Sequence, residues 1–251
     1  MRAIFTGLCA AVCSTFSFTA LAQDALPENL GNPGTFALSA ERLMGVAFER
    51  YKLEDSEAGV TTTDTTSQTV VALLGVAPTT GLSTSLGLIP RLGFDYFPIK
   101  GLSLGTSLIY IASSGKDKVE LSGGGIDSSE ETDLPKDSTL LFHPRVGYAI
   151  AFNDTVAVWP RLGLTYLHGK TKYEPDQPGA DDVEYIINST ALTLEGFLAL
   201  SPVNHFAILV GPFADIGVGG KRKTKSGGDE TEIDSRLSSF GIALNLTGFL
   251  P

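Results

Sequence analysis

Apolar and polar positions alternate with a period of two along much of this chain, the signature of strands with one buried and one differently solvated face. Phe142, Pro144, Val146, Tyr148, Ile150 and Phe152 form a wholly apolar face, opposed by His143, Arg145, Gly147, Ala149 and Ala151. The next segment repeats the pattern. Val156, Val158, Pro160, Leu162, Leu164 and Tyr166 oppose Ala157, Trp159, Arg161, Gly163 and Thr165. Leu192, Leu194, Leu198 and Leu200 oppose Thr193, Glu195, Phe197 and Ala199, and Phe240, Ile242, Leu244 and Leu246 oppose Ser239, Gly241, Ala243, Asn245 and Thr247. A soluble sandwich would turn long charged side chains outward on the polar face. Here that face is small and glycine-rich with few charges, as suits the interior of a narrow barrel whose apolar face looks out.

Strands are predicted at about 41–53, 84–97, 101–113, 138–152, 155–171, 183–201, 205–218 and 235–250. Short connections fall at Pro98-Ile99-Lys100, Asn153-Asp154 and Pro202-Val203-Asn204. Long polar ones cover 54–83, 114–137, 172–182 and 219–234. An even strand count with short turns at one end and long loops at the other predicts an all-β fold, an antiparallel eight-stranded transmembrane β-barrel with short periplasmic turns and long extracellular loops. Tyr51, Phe97, Tyr110, Phe152, Tyr166, Phe206 and Phe249 at strand ends suit interfacial girdles. Two uncharged stretches, 65–90 and 196–214, are broken by Thr, Ser, Gly and Pro, so neither supplies the ~20 apolar residues of a membrane helix. A membrane form of this chain must then be a closed barrel, which satisfies every backbone group in lipid.

Of the 251 residues, 18% are charged, and 18 Lys and Arg against 28 Asp and Glu give a net charge of −10. That balance excludes a general nucleic-acid binder, because phosphates demand a basic face. The apolar stretch after Arg2, followed by Ala20-Leu21-Ala22, reads as a signal peptide over 1–22, with a periplasmic tail over 23–40 and the barrel over 41–251. Cys9 and Cys13 are the only cysteines and lie in the segment that is removed, which excludes a disulfide scaffold and a thiolate enzyme.

A short motif recurs as Pro90-Arg91-Leu92-Gly93-Phe94, Pro144-Arg145-Val146-Gly147-Tyr148 and Pro160-Arg161-Leu162-Gly163-Leu164. With Phe94-Asp95-Tyr96-Phe97 and the Glu41-Arg42-Leu43-Met44-Gly45-Val46 opening, the chain resembles small bacterial outer-membrane β-barrel proteins of the OmpA-like eight-stranded type. The resemblance implies a Gram-negative outer-membrane location and a structural or surface-interaction role. It also implies a monomer that contacts outer-membrane lipids, lipopolysaccharide and the barrel-insertion machinery, with no cofactor and no catalytic residues to transfer. A narrow porin-like channel and a lipid-modifying enzyme are the alternatives on the same fold.

Candidate chemistry is sparse. His143, His168 and His205 are the only histidines, and none lies in a nucleophile motif. No catalytic, cofactor-binding or metal-ligating residue is therefore predicted. Counting from the turn centres places Arg91, Arg145, Arg161 and Glu195 in one layer of the inner face. Glu41, Glu49, Asp95 and Asp215 share that parity, so the eight are predicted to form an Arg–carboxylate network that plugs the lumen. Alternation turns Arg42 outward, and the motif prolines predict bulges or breaks in the strands that hold them. The apolar run 69–76 is expected to extend a strand, to form a short helix or to plug the mouth. The basic run Lys221-Arg222-Lys223-Thr224-Lys225 is a candidate contact for anionic lipid.

Overall fold

A computed structural model describes residues 30–57, 60–73, 87–123, 126–153, 155–174 and 181–251. The expected signal peptide and cysteines lie outside the described residues. The described residues are all strand and turn: β1 (Phe36–Glu57), β2 (Val60–Ala72), β3 (Arg91–Ile99), β4 (Leu102–Gly123), β5 (Ile126–Tyr148), β6 (Ile150–Ala151), β7 (Val156–Tyr173), β8 (Val183–Val203), β9 (Phe206–Ser226) and β10 (Asp229–Leu250). Each pairs antiparallel with its neighbour, and β10 returns to β1 from Phe36↔Leu250 to Glu54↔Asp234. The sheet thus closes on itself. Because β2 and β3 share one side of β1, and β6 continues β5 along β7, the ten strands make eight staves.

Closure and alternation together sort the side chains. Leu92, Leu104, Phe142, Leu164, Leu194 and Ile242 are exposed on the outside, while Ala47, Ser107, Ala157, Thr193, Ala199 and Thr247 are buried within. A barrel of eight strands leaves an interior that side chains alone can fill. Most strands run well past the 9–11 residues that cross a bilayer: β4 has 22, β5 23 and β10 22. Above the apolar belt they continue as paired hairpins. Much of what the sequence reads as long loops is therefore wall: β2 lies within 54–83, and the β4–β5 and β9–β10 hairpins occupy most of 114–137 and 219–234. Polar residues on both faces conceal such strands, because a hairpin standing in water has no buried face to impose alternation.

Three further departures have local causes. The wall starts at Phe36 rather than 41, with Phe36–Ala40 paired to both β10 and β3 and Glu41 to β3 alone. The strand expected over 84–97 begins only at Arg91. Just before it Gly87, Leu88 and Ile89 lie buried inside the barrel, where Gly87 N donates to Glu49 (2.9 Å) and Gly87 O accepts from Arg42 (2.8 Å). Of the run 69–76, residues 69–72 belong to β2, and 74–76 lie outside the described residues. Pro90 precedes β3 and interrupts no ladder, whereas Pro144 and Pro160 produce gaps in pairing without any slip. Pro144 sits where the β5–β7 ladder skips from Phe142↔Tyr166 to Arg145↔Gly163, and Pro160 sits between Arg161↔Gly147 and Val158↔Ile150. Each missing N–H is thereby accommodated at constant register.

The aromatic residues divide by parity. Tyr110, Phe152 and Tyr166 are exposed outside, whereas Phe97 and Phe249 are buried in the lumen and half-buried Tyr51 packs against an inner apolar cluster. Phe97 stacks at a tilt on Trp159, 5.4 Å between centroids, and closes the short-turn end with Ala151, Ala157 and Phe249.

Candidate functional site: a charged layer across the lumen

The motif repeats build the centre of the barrel. In each, Arg and Gly are two residues apart and so face inward together. In register, Arg145 lies opposite Gly163, and Arg161 lies opposite Gly147. Each arginine thus crosses a partner strand where no side chain stands. A Cβ at Gly147 would come within 2.9 Å of the Arg161 side chain, and one at Gly93 within 2.5 Å of Glu41 Oε1. Gly105 continues the pattern on β4: a Cβ there would lie 2.1 Å from Asp95 Oδ1. Close packing of long charged side chains in so small a bore depends on these glycines.

Glu41 sits at the middle of the layer. Arg145 Nη1 donates to Glu41 Oε2 at 2.9 Å while Arg145 Nη2 lies 2.7 Å from Oε1, and Arg161 Nη1 donates to the same Oε1 at 3.0 Å. Arg145 also grips Asp95 through Nε (3.0 Å) and Nη2 (2.5 Å). Arg161 then reaches Glu195 Oε2 at 2.8 Å. These side chains are no more than 1% exposed. Fork-shaped guanidinium groups that meet carboxylates in pairs satisfy several donors at once, the arrangement that makes buried charge tolerable. The Arg161 guanidinium also lies over the rings of Phe197 (4.7 Å) and Trp159 (5.0 Å).

Arg42 is the residue that alternation misplaces. The β1–β10 register slips between Ala40↔Leu246 and Met44↔Leu244, so three residues of β1 face one of β10. Arg42 adopts φ 54° in this bulge, and its N–H donates to Asn245 Oδ1 at 2.7 Å. A bulge re-aims a side chain, and here it turns Arg42 from the lipid face into the lumen. Its guanidinium pairs with Asp215 at 2.7 and 3.1 Å, approaches Glu195 at 3.4 Å and covers Phe213 at 4.1 Å. Asp215 additionally accepts from Thr193 Oγ1 at 2.7 Å.

All eight predicted lumen residues are buried. Glu41, Asp95, Arg145, Arg161 and Glu195 form one connected set, and Arg42 ties Asp215 to it through Glu195. Glu49 instead accepts from Gln68 (2.7 Å) and from Gly87 N. Arg91 is opposite Glu41 in register and lies 3.5 Å from His143 Nδ1, which is 3.2 Å from Ser107 Oγ. Sequence reasoning missed Arg42, Thr193 and the buried Gly87–Ile89 segment. An acid-rich inner face with too few bases was the available signal for Arg42. His168 pairs with Asn188 (2.8 Å) on the outer side, and His205 occupies a short turn at φ 66°.

No protein-family model matches the chain, and no curated protein sequence matches it. Among solved structures, the outer membrane protein OprG from Pseudomonas aeruginosa aligns at a TM-score of 0.46 and 14% identity, over 88% of this chain and 99% of that one. AlkL, determined in DMPC bilayers, aligns at 0.47 and 10% identity, over 87% and 91%. Ail of Yersinia pestis aligns at 0.30 and 13% identity, over 85% and 99%.

Proposed function

We propose that this protein is an integral barrel of the bacterial outer membrane, with a structural or surface-interaction role and a lumen closed to solutes by its own side chains. One observation carries the reading: a closed sheet whose outer face is apolar and whose bore is crossed by buried, mutually paired arginines and carboxylates. A soluble fold with that outside would expose far more contiguous apolar surface than water tolerates. The paired hairpins above the belt supply the interaction surface, and the role is non-enzymatic. The barrel works as a monomer, since the β1–β10 and β1–β3 ladders close the sheet at the level of the charged layer without a second copy.

Membrane extraction with gel mobility before and after boiling tests the assignment. The protein should fractionate with membranes, resist alkaline extraction and change mobility only on heating. Release into the soluble periplasm would contradict it.

A further inference from the structure

The outer wall carries a second feature, above the apolar belt on β8, β9 and β10. Val218 is an extra residue in β9, between Gly217↔Ala191 and Gly219↔Thr190, and the β9–β10 ladder is interrupted from Asp234↔Lys221 to Ser239↔Asp215. A Cβ at Gly219 would meet nothing within 4 Å. The wall is consequently hollowed to about 440 Å³, lined by Val218, Gly219, Gly220, Lys221, Asp234 and Arg236 among others.

Its level is set by the neighbouring strand. Phe48 and Phe240 stack on the outer face at 5.4 Å between centroids. The next outward pairs above them are Arg50↔Ser238 and Lys52↔Arg236. Cations therefore begin where the apolar belt ends. Among the described residues neither Arg50 nor Arg236 has an ion pair within 4 Å or a side-chain hydrogen bond, although Arg236 acts on Glu54 at longer range. By contrast Lys223 is held by Glu230 (2.8 Å) and Glu232 (2.7 Å), Lys225 lies near Glu184 and Glu230, and Lys221 contacts Glu232. The basic run in the sequence is thus largely matched by acids. The unmatched charge sits on Arg50 and Arg236.

We propose that this hollow binds the phosphate-bearing headgroup of an outer-leaflet lipid. Arg236 in the lining of the hollow and Arg50 beside it on β1 hold the phosphate, and the acyl chains lie on Val218 and on Phe48 and Phe240 beneath the arginines. Asp234, in the same hollow, faces the glycerol or sugar hydroxyls rather than the phosphate. The assignment rests on the membrane-barrel reading. A free anion would use the cations but not the apolar shelf beneath them, which is why the occupant is a lipid.

The test is native mass spectrometry of the full chain in detergent, titrated with phosphatidic acid or phosphatidylcholine, and a gel with and without boiling on the same samples. One phosphatidic acid should bind, at least about five-fold more tightly than phosphatidylcholine, the factor that ~1 kcal/mol per basic residue near a membrane surface supplies. Arg50→Gln/Arg236→Gln should lose that preference while Lys225→Gln keeps it, all three proteins retaining heat-dependent mobility. Equal affinity for the two lipids, or an unchanged preference in the double variant, would overturn the proposal. Displacement of the lipid by equimolar inorganic phosphate would overturn it too, as a free-anion site. Loss of heat-dependent mobility in the wild type would instead refute the membrane-barrel reading on which it stands.

Discussion

Glu41 receives hydrogen bonds from two arginines on different staves, so its removal leaves more than one buried charge uncompensated. Breaking a buried pair by deleting one partner costs about 3–5 kcal/mol. Glu41→Gln is therefore expected to lower the thermal midpoint of the detergent-solubilised barrel strongly, and a midpoint equal to wild type would remove Glu41 from its central place. Gly105→Ala tests the steric half of the same arrangement. Its Cβ would fall 2.1 Å from Asp95 Oδ1, and overpacking of this kind costs about 1–3 kcal/mol. Expected is a lower midpoint without loss of the barrel fold, whereas Gly169→Ala, whose Cβ would have 3.9 Å of clearance, should be silent. Inward parity was legible for all eight acids and bases because alternation survives wherever the strand is regular. It was not legible for Arg42, since a bulge shifts parity by a backbone conformation that the sequence does not mark with a glycine.

At the scale of elements, the upper hairpins are held by cross-strand ion pairs instead of by a core. Glu232 lies between Lys221 and Lys223, whose hydrogen bonds hold its carboxyl down at about 2, against an ordinary 4.5. Glu174, between Lys136 and Lys172, is held at about 2 for the same reason. A carboxyl depressed in the folded state adds stability that is fully present above its unfolded value and is lost as pH falls from about 4.5 through about 2. Solvent reaches both groups, so the effect is modest and salt-sensitive. Carbon-detected NMR titration of Glu232 should give a midpoint near 2 at low salt that climbs toward 4.5 in about 1 M salt. A midpoint of 4.5 at low salt would contradict the pairing. These hairpins were read from the sequence as loops because Thr, Ser, Lys and Glu dominate them and the few apolar residues, such as Val119, Leu121 and Ile233, make no sustained alternation. The membrane-embedded strands were legible, prolines included, because lipid and lumen impose opposite demands on successive residues.

The molecule as a whole is a wall of eight staves around a bore filled by charge. Its orientation follows from the asymmetry of its ends, short turns at one and long hairpins at the other. An epitope inserted at Gly227, in the β9–β10 turn, should be detected on intact cells, and one at Asn153 should not; the reverse result would invert the barrel. Closure of the sheet was foreseeable from an even number of alternating segments, but the tucked Gly87–Ile89 segment was not, since nothing in its composition separates a plug from a strand. The central claim is that the buried arginine–carboxylate layer seals the lumen. Single-channel recording in planar bilayers tests it most directly, with wild type compared to Glu41→Ala/Glu195→Ala, which strips acids from both sides of Arg161. Wild type should show no steady conductance, and the double variant should open ion-sized steps that the wild type lacks. A steady wide pore in the wild type would contradict the sealed lumen outright.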